Sequence, residues 1–320
     1  MTSAGRPRLV QPRLVAVLGA TAAGKSALGI ALARHFDGEV VACDSTAVFR
    51  GIDIGTDKVP IDEQQGIPHH LVDVADPTEV YSAARYAQDA APVIRAITAR
   101  GRLPILVGGT GLYFRALVRG LFPGPARHAA LRTALERLAR ERGTGELYRW
   151  VRRLDPGSAT RIQPRDAKRL IRALEVALVS GVPMTTHFAE TVSPIADYDV
   201  LAIGVRLPAA DTAARVERRV EQQFARGVVD EVRGLLAAGV PPTAQSLCGL
   251  VYRQIVEMLA GVRDEAATRE LVVRENRHYA RRQLIWFRKE PTLTWIDGPG
   301  ETPAAVARAV ELVNGFASDS

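Results

Sequence analysis

Apolar runs alternate with amphipathic segments through the first third of the chain. Residues 14–18, 39–43 and 103–107 are predominantly apolar stretches, the pattern of strands that are buried on both faces. Residues 26–34 and 82–99 repeat apolar positions at helical spacing, and Ser82 is placed to cap the second segment. Strands and helices that alternate in this order predict an α/β fold around a mainly parallel sheet.

The pattern changes after residue 122. The stretch that follows is helical in pattern and rich in arginine, and its second helix is expected to begin at about Asp166. Strand-like sequence returns at residues 198–207. We therefore predict three segments: the first part of an α/β core at 1–122, an inserted all-helical domain at 123–197, and a return to the core at 198–320 that carries C-terminal basic helices.

The last third adds two basic helices and a strand. We expect Asp211 to cap the first helix, which turns Arg219 outward. The second helix, about residues 268–289, places Arg274, Arg277 and Arg281 on one face, and residues 293–296 form a final strand followed by a helix. Such faces are often merely solvated, but arginines near aromatic residues also suit contact with RNA.

Length and charge narrow the class of protein. With 320 residues and 47% hydrophobic composition, the chain can form one large core and a smaller unit. Its net charge of +7 favours a polyanionic partner where the arginines cluster. The sequence contains no apolar run long enough to span a bilayer, and residues 1–13 lack the core of a signal peptide. We expect a cytoplasmic protein with no membrane partner.

Cysteine and histidine residues can indicate metal or redox chemistry, but their number and spacing in this sequence do not support either. Cys43 and Cys248 are too few for a disulfide framework or a zinc cluster, and we predict two reduced, buried thiols. The adjacent side chains of His69 and His70 diverge, and no third ligand is spaced for zinc. We therefore expect structural or loop roles for the histidines.

The clearest chemical signal is a complete G-x-x-x-x-G-K-S between the first strand and the first helix. Backbone N–H groups of such a loop surround an anion, and the positive N-terminal end of the helix adds to the attraction. Lys25 supplies a mobile charge, and the Ser26 hydroxyl is the expected ligand of Mg²⁺. The predicted phosphate-binding residues are Gly19, Ala20, Thr21, Ala22, Ala23, Gly24, Lys25 and Ser26.

Two further loops follow the second and third predicted strands. Asp44 and Ser45 come directly after residues 39–43, and Thr110 follows residues 103–107 within a glycine-rich loop. Because the carboxyl ends of parallel strands meet at one edge of a sheet, these loops and the phosphate loop should border the same crevice.

Together these segments resemble the tRNA dimethylallyltransferases. The matching stretches keep the order and spacing typical of that family and extend from residue 14 to about 290. They are residues 19–26, 44–45, 50–56, 68–70, 106–113, 172–176 and 282–288.

The resemblance implies a P-loop NTPase-like core and a transferase that modifies tRNA. Such an enzyme moves a dimethylallyl group from dimethylallyl diphosphate to N6 of adenosine 37, in the anticodon stem-loop, and releases diphosphate. It implies Asp44 as general base and Arg219 as a ligand of the diphosphate, within a catalytic set of Asp44, Lys25, Thr21 and Arg219. The implied tRNA contacts are Asp44, Ser45, Thr46, Ala47, Thr110, Lys168, Arg169, Leu170, Ile171 and Arg172. We expect a monomer.

Several positions depart from the family pattern, and other functions stay open. Ala47, Phe49, Cys248 and Val251 stand where glutamine, tyrosine, a basic residue and glycine are usual. A small-molecule kinase would use the same loop for ATP, as would a non-catalytic RNA-binding ATPase. A prenyltransferase acting on free AMP is the nearest alternative. ATP as an occupant of the loop also stays open.

Overall fold

The apolar runs form strands of one parallel sheet. Within the described residues, 11–122, 124–125 and 128–318 of a computed structural model, this sheet has six strands in the order β3-β2-β4-β1-β5-β6. The strands are β1 (Arg13–Gly19), β2 (Gly38–Cys43), β3 (His69–His70), β4 (Leu103–Gly108), β5 (Asp199–Arg206) and β6 (Leu293–Asp297). Every pairing is parallel, which confirms the predicted fold class.

The helices account for most of the remaining described chain. They are α1 (Lys25–His35), α2 (Ala83–Ala99), α3 (Gly111–Arg119), α4 (Ala129–Arg142), α5 (Thr144–Leu154), α6 (Pro156–Ala159), α7 (Ala167–Ser180), α8 (Met184–Ala189), α9 (Ala209–Ala225), α10 (Val228–Ala237), α11 (Tyr252–Leu259), α12 (Glu265–Phe287) and α13 (Pro303–Ser318). One face of the sheet packs on α1 and α13, where Leu28, Leu32 and Ala309 meet Val15 and Val17.

The chain divides into two compact units. One contains the sheet and is built from the chain up to Val118 and from Ile195 onward; the other is Arg119–Pro194. The second unit has its own apolar core, which includes Leu147, Val151 and Leu174. Our predicted insert, 123–197, covers nearly the same stretch and stays a prediction. Pro123 and residues 1–10, on which parts of the sequence argument rest, lie outside the described residues.

Side-chain caps explain where several helices begin. The Ser82 side chain accepts a hydrogen bond from the Arg85 N–H at the start of α2, and Asp166 caps α7 in the same way. The predicted cap at Asp211 is wrong: α9 begins at Ala209 after Pro208, and Asp211 lies in its first turn. An acidic residue is favourable in the first turn because of the helix dipole. Since aspartate also suits the cap position, its presence alone does not fix where the helix begins. The helix α12 begins at Glu265 rather than at residue 268 because Asp264 caps it.

The register of the strands brings the three predicted loops together. Gly108 of β4 pairs with Leu18 of β1 on one side and with Cys43 of β2 on the other. A Cβ at Gly108 would overlap the Cys43 carbonyl, so glycine permits this close approach. The phosphate loop, Asp44 and Thr110 therefore leave the sheet side by side, as expected for parallel strands.

Two expectations about the surface have mixed outcomes. Cys43 is buried, but Cys248 is exposed, so the prediction of two buried thiols is wrong for Cys248. That cysteine is the last residue of a short 3-10 helix (Gln245–Cys248) before α11, and its Sγ is 3.5 Å from the Thr243 carbonyl oxygen. A search of the described helices finds none that is long and apolar enough to cross a membrane.

Candidate active site

The phosphate loop has the backbone geometry that its sequence predicts. Gly24 has φ 86°, a left-handed conformation, and Gly19 has φ 148°. Ala22 also has a positive φ, 61°, which is uncommon for a residue with a side chain. The helix α1 starts at Lys25, so its positive N-terminal end faces the loop. The Lys25 Nζ donates to the Ala20 carbonyl at 2.6 Å and thus lies folded against the loop.

The ammonium of Lys25 is poorly solvated. Burial, and next the positive charge of Arg219, lower the pKa of Lys25 from 10.5 to about 8, while Asp44 acts in the opposite direction. The loop therefore contains a cation that lacks a sufficient counter-charge. A bound anion such as diphosphate would supply it.

Arg219 reaches the same loop from α9. Its Nη1 donates to the Thr21 Oγ1 at 2.7 Å, and its Nε donates to the Asp57 carboxylate. The same carboxylate accepts from Gln223 at 2.6 Å and pairs with Arg226 at 3.3 Å. Asp57 therefore fixes the orientation of a guanidinium that points at the phosphate loop.

Asp57 and Gln223 belong to this arrangement, and neither was predicted from the sequence. Asp57 lies in the polar segment at residues 50–58, which carried no periodicity, and Gln223 follows Arg219 by one helical turn. Glu231 orders this segment by accepting from the N–H groups of Asp53 and Ile54 at 3.0 and 2.8 Å. The only sequence signal is the position of Asp57 directly after the stretch at residues 50–56 that resembles the family.

The three loops border a cavity of about 390 Å³. Lys25, Ser26, Asp44, Arg218 and Arg219 line it together, so the structure gathers the predicted phosphate and catalytic groups at one place. Apolar side chains also line the cavity, and they are Val40, Ala42, Val59, Val72 and Val107. A cavity that is cationic in one part and apolar in another suits a ligand with an anionic head and a hydrocarbon tail.

One oxygen of Asp44 is committed to the local backbone. The Asp44 Oδ1 accepts from the N–H and the hydroxyl of Thr46 at 2.8 and 2.7 Å, and from the Ala47 N–H at 3.3 Å. Its Oδ2 has no hydrogen-bond partner among the described residues. Thr110 stabilises the same turn, because its Oγ1 accepts from the Ser45 N–H at 3.1 Å. Asp44 is thus held by one oxygen while the other stays available to a ligand.

Two residues of α12 close the cavity on another side. Tyr279 and Gln283 both line it, and the Gln283 amide bonds to the Thr21 N–H. Burial raises the pKa of Tyr279, so its hydroxyl remains a neutral donor at physiological pH. Gln283 fell inside a stretch that resembled the family, but its residue type alone gave no reason to place it at the site.

The predicted RNA-contacting residues of the helical unit differ in what they can offer. Lys168 and Arg169 are exposed, and Arg169 pairs with Asp166 at 3.5 Å. Leu170 and Ile171 are core residues, 0% and 5% exposed, so their side chains are not available to RNA. Apolar residues on the inner face of α7 must pack, and this burial corrects the expectation of side-chain contact at these two positions.

The basic faces carry more carboxylates than the sequence suggested. Arg172 pairs at 3.0 Å with Glu175, which is fully buried and also accepts from Arg132 at 2.9 Å. On α12, Arg277 pairs with Glu217 of α9 at 2.7 Å. Among the described residues, Arg274 and Arg281 have no ion-pair partner. They are therefore the arginines of this face that remain free to meet phosphates.

The departures from the family pattern have separate structural settings. Ala47 lines the cavity, so the amide that glutamine would supply at this position is absent from the site itself. Phe49 is fully buried and does not line the cavity, so its missing hydroxyl does not concern a ligand there. Val251 has φ 74°, a conformation that favours glycine and strains a β-branched residue.

The lowered pKa of Lys25 predicts how anion binding depends on pH. The Lys25 side chain carries its positive charge below about pH 8 and loses that charge as the pH rises through this value. We expect the affinity for inorganic diphosphate to fall above this pH by up to about tenfold per unit. Calorimetric titrations between pH 7 and 10 measure it, with Lys25→Arg as control, since its guanidinium stays charged. The same pH profile in both proteins would contradict the assignment.

Comparison with known proteins identifies a family and several relatives of this chain. The family model for IPP transferase matches residues 47–290. The chain is 43% identical over 288 residues to tRNA dimethylallyltransferase 1 of Pelobacter propionicus, covering 90% of this chain and 93% of that protein. It is 43% identical over 310 residues to the tRNA dimethylallyltransferase of Koribacter versatilis, with 94% and 98% covered.

Solved structures with the same fold extend the likeness. The tRNA isopentenylpyrophosphate transferase of Bacillus halodurans superposes with a TM-score of 0.71 at 34% identity, covering 95% of this chain and 96% of that one. A eukaryotic dimethylallyltransferase acting on tRNA gives a TM-score of 0.76 at 25% identity, with 96% and 80% covered.

Proposed function

The chain belongs to the IPP transferase family, and from that premise we propose that it transfers a dimethylallyl group from dimethylallyl diphosphate to N6 of adenosine 37 in tRNA. It is a transferase, and the relatives in Pelobacter propionicus and Koribacter versatilis are named tRNA dimethylallyltransferases. The observation that carries the proposal is the cavity itself. It joins the cationic phosphate loop, an apolar wall and the carboxylate of Asp44.

The phosphate loop and Arg219 act on the leaving group. As the C–O bond of the donor breaks, negative charge accumulates on the diphosphate oxygens. Lys25 and Arg219 lie where they would stabilise that charge more strongly than the charge of the intact donor. Asp57 keeps the guanidinium in place before the donor arrives, so little reorganisation is needed during the reaction.

Asp44 acts on the acceptor. The N6 amine of adenine is a weak nucleophile because its lone pair is delocalised into the ring. As N6 attacks the first carbon of the donor, the Oδ2 of Asp44 takes the proton that the amine must lose. The hydrogen bonds of Thr46 and Ala47 hold Oδ1 and leave Oδ2 without a partner among the described residues, on a side chain that lines the cavity.

The acceptor base must leave the anticodon loop to enter the cavity. Unstacking costs a few kcal/mol, which contacts to the extruded base must offset. Thr110, Ser45 and Tyr279 supply hydroxyl groups at the cavity or beside it.

A tRNA substrate also gives a role to the basic faces. We infer a cytoplasmic enzyme. We also infer that it acts as a monomer, because residues of one chain complete the cavity.

The site fits Mg²⁺ as a partner of the bound diphosphate. The hydroxyl of Ser26 lines the cavity beside the phosphate loop, and Mg²⁺ prefers oxygen ligands, keeps several waters and binds substrate phosphates. We propose Ser26 as its protein ligand. When bound, the ion would neutralise part of the diphosphate charge.

The first experiment separates this activity from its alternatives. Donor and tRNA are incubated without ATP, and released diphosphate is compared with prenylated nucleoside. Parallel incubations replace the donor with ATP, or replace the tRNA with free AMP. We expect equal amounts of both. Formation of ADP that depends on an acceptor would favour a kinase, ATP hydrolysis without modification would favour an ATPase, and prenylation of free AMP in preference to tRNA would favour an adenylate prenyltransferase.

The free arginines of α12 give a prediction about salt. If Arg274 and Arg281 meet RNA phosphates, changing both to glutamine should weaken tRNA binding and make the slope of log K against log salt shallower by about 1–2. Donor affinity should not change. Filter binding from 50 to 300 mM salt measures the slope. The control changes Arg269 and Arg308, which pair with Glu265 and Glu311, to glutamine. Equal slopes for both double variants would contradict the assignment.

A further inference from the structure

The side-chain amide of Gln283 is bonded at both ends to backbone groups of different loops. Its Oε1 accepts from the Thr21 N–H at 2.8 Å, and its Nε2 donates to the Gly109 carbonyl at 2.8 Å. The side chain is only 7% exposed, and a Cβ at Gly109 would overlap its Nε2. The bond to Gly109 is buried and the bond to Thr21 is part-buried, so loss of the amide would leave two backbone groups without their partner.

The two loops serve different substrates in the proposed reaction. Thr21 belongs to the phosphate loop, and its Oγ1 accepts from Arg219. Gly109 precedes Thr110, which supports the turn that carries Asp44. The ladder between β1 and β4 ends at Leu18 and Gly108, so Gln283 continues the connection between these loops where the sheet stops.

The neighbours of Gln283 on α12 contact the second loop as well. The Tyr279 hydroxyl, one turn earlier, lies close enough to the Thr110 side chain to influence the pKa of the tyrosine. Trp286, one turn later, packs against Gly111, where a Cβ would overlap its ring. Residues spaced in this way share one face of a helix. That face of α12 therefore follows the loop from Gly109 to Gly111, and Gln283 alone of these three is also bonded to the phosphate loop.

We propose that Gln283 is a positioning residue that sets the separation between the donor's diphosphate and the acceptor base. This inference rests on the proposed function. Gln283 touches neither reacting atom; it acts through the Thr21 and Gly109 backbone. Misplacement of reacting groups by about 1 Å can cost 10²-fold in rate, so a clamp between the two loops matters most for the transfer step.

The first test replaces Gln283 with leucine, which keeps the bulk and removes both hydrogen bonds. We expect kcat, measured with donor and tRNA saturating, to fall by about 10–100-fold. Inorganic diphosphate should still bind at one site per chain, with an affinity within about threefold of wild type. This split separates lost alignment from lost folding. A kcat within about threefold of wild type would overturn the proposal.

A second variant, Gln283→Glu, gives a signature that a merely structural role would not produce. A protonated carboxyl can still accept from the Thr21 N–H and donate to the Gly109 carbonyl, whereas a carboxylate cannot donate. The ratio of the variant's kcat to that of wild type should therefore rise as pH is lowered from 8 to 6. A ratio independent of pH would contradict the proposed clamp, and the test holds even if the leucine variant does not fold.

Gln245 offers a matched control. Its amide also bonds to backbone at both ends, accepting from the Tyr81 N–H at 3.1 Å and donating to the Tyr81 carbonyl at 2.9 Å, but it does not line the cavity. Gln245→Leu should leave kcat unchanged. An equal loss in both leucine variants would mean a general effect of lost hydrogen bonds. If wild type itself fails to prenylate tRNA, the proposed function fails, which is a separate result.

Discussion

Changing Asp44 to asparagine should leave both substrates bound and slow transfer by about 10²–10⁴, the range typical for loss of a general base. The asparagine Oδ1 can keep the hydrogen bonds from Thr46 and Ala47, so the turn should persist. What disappears is the free oxygen that accepts the N6 proton. Single-turnover rates with saturating donor, together with equilibrium binding of donor and tRNA, measure the two effects separately.

Asp76 provides the matched control for this substitution. Its Oδ1 accepts from the N–H and hydroxyl of Thr78 at 3.0 and 2.6 Å, the same arrangement that Asp44 makes with Thr46, but Asp76 does not line the cavity. Asp76→Asn should transfer at the wild-type rate. If Asp44 instead mainly orders Mg²⁺, the Asp44 variant should lose donor affinity, and raised Mg²⁺ should restore part of it. A transfer rate within a few-fold of wild type would exclude both roles.

Changing Lys25 to methionine should reduce kcat/KM for the donor by about 10²–10³, the loss typical when one preorganised charge or donor is removed from a developing anion. The charge is partly buried beside Arg219 and is less screened than in water, so its effect on the leaving group is large. Lys25→Arg should lose less, since it keeps the charge but not the shape. Initial rates over a donor series give kcat/KM for all three proteins.

The Lys25→Met variant should be more stable than wild type when no anion is bound. The pKa of Lys25 is lower in the folded chain than in the unfolded one, so forcing the ammonium into the fold costs up to about 3 kcal/mol below pH 8. That cost disappears as pH rises from about 8 to 10.5, where the unfolded chain still holds the proton. Denaturant unfolding of both proteins at pH 7 and pH 10 measures the difference, which should be present at pH 7 and small at pH 10. Equal stability at pH 7 would contradict a buried charge.

The parts of the site that are local in sequence could be predicted. The phosphate loop is a continuous motif between a strand and a helix, and Asp44 and Thr110 follow apolar runs whose parallel pairing fixes their place. Ser82 and Asp166 cap helices because the cap and the N–H it binds are three residues apart. Sequence patterns over a few residues determine each of these features.

The parts that depend on distant contacts could not be predicted. Asp57 and Arg219 are separated by 162 positions, and Gln283 and Thr21 by 262. Nothing in either local sequence specifies the partner. The same limit applies to the basic faces. Arg277 pairs with Glu217, which is 60 positions away, and the composition of α12 does not reveal this partner. Only packing decides which arginines remain free.

The most direct test of the account is a nucleoside mass analysis of tRNA that has been incubated with the protein, dimethylallyl diphosphate and Mg²⁺. Two transcripts are compared, one with adenosine at position 37 and one with guanosine there. We expect an adenosine heavier by one dimethylallyl group in the first transcript, absent from the second and formed without ATP. An unmodified first transcript, or equal modification of both, would contradict it.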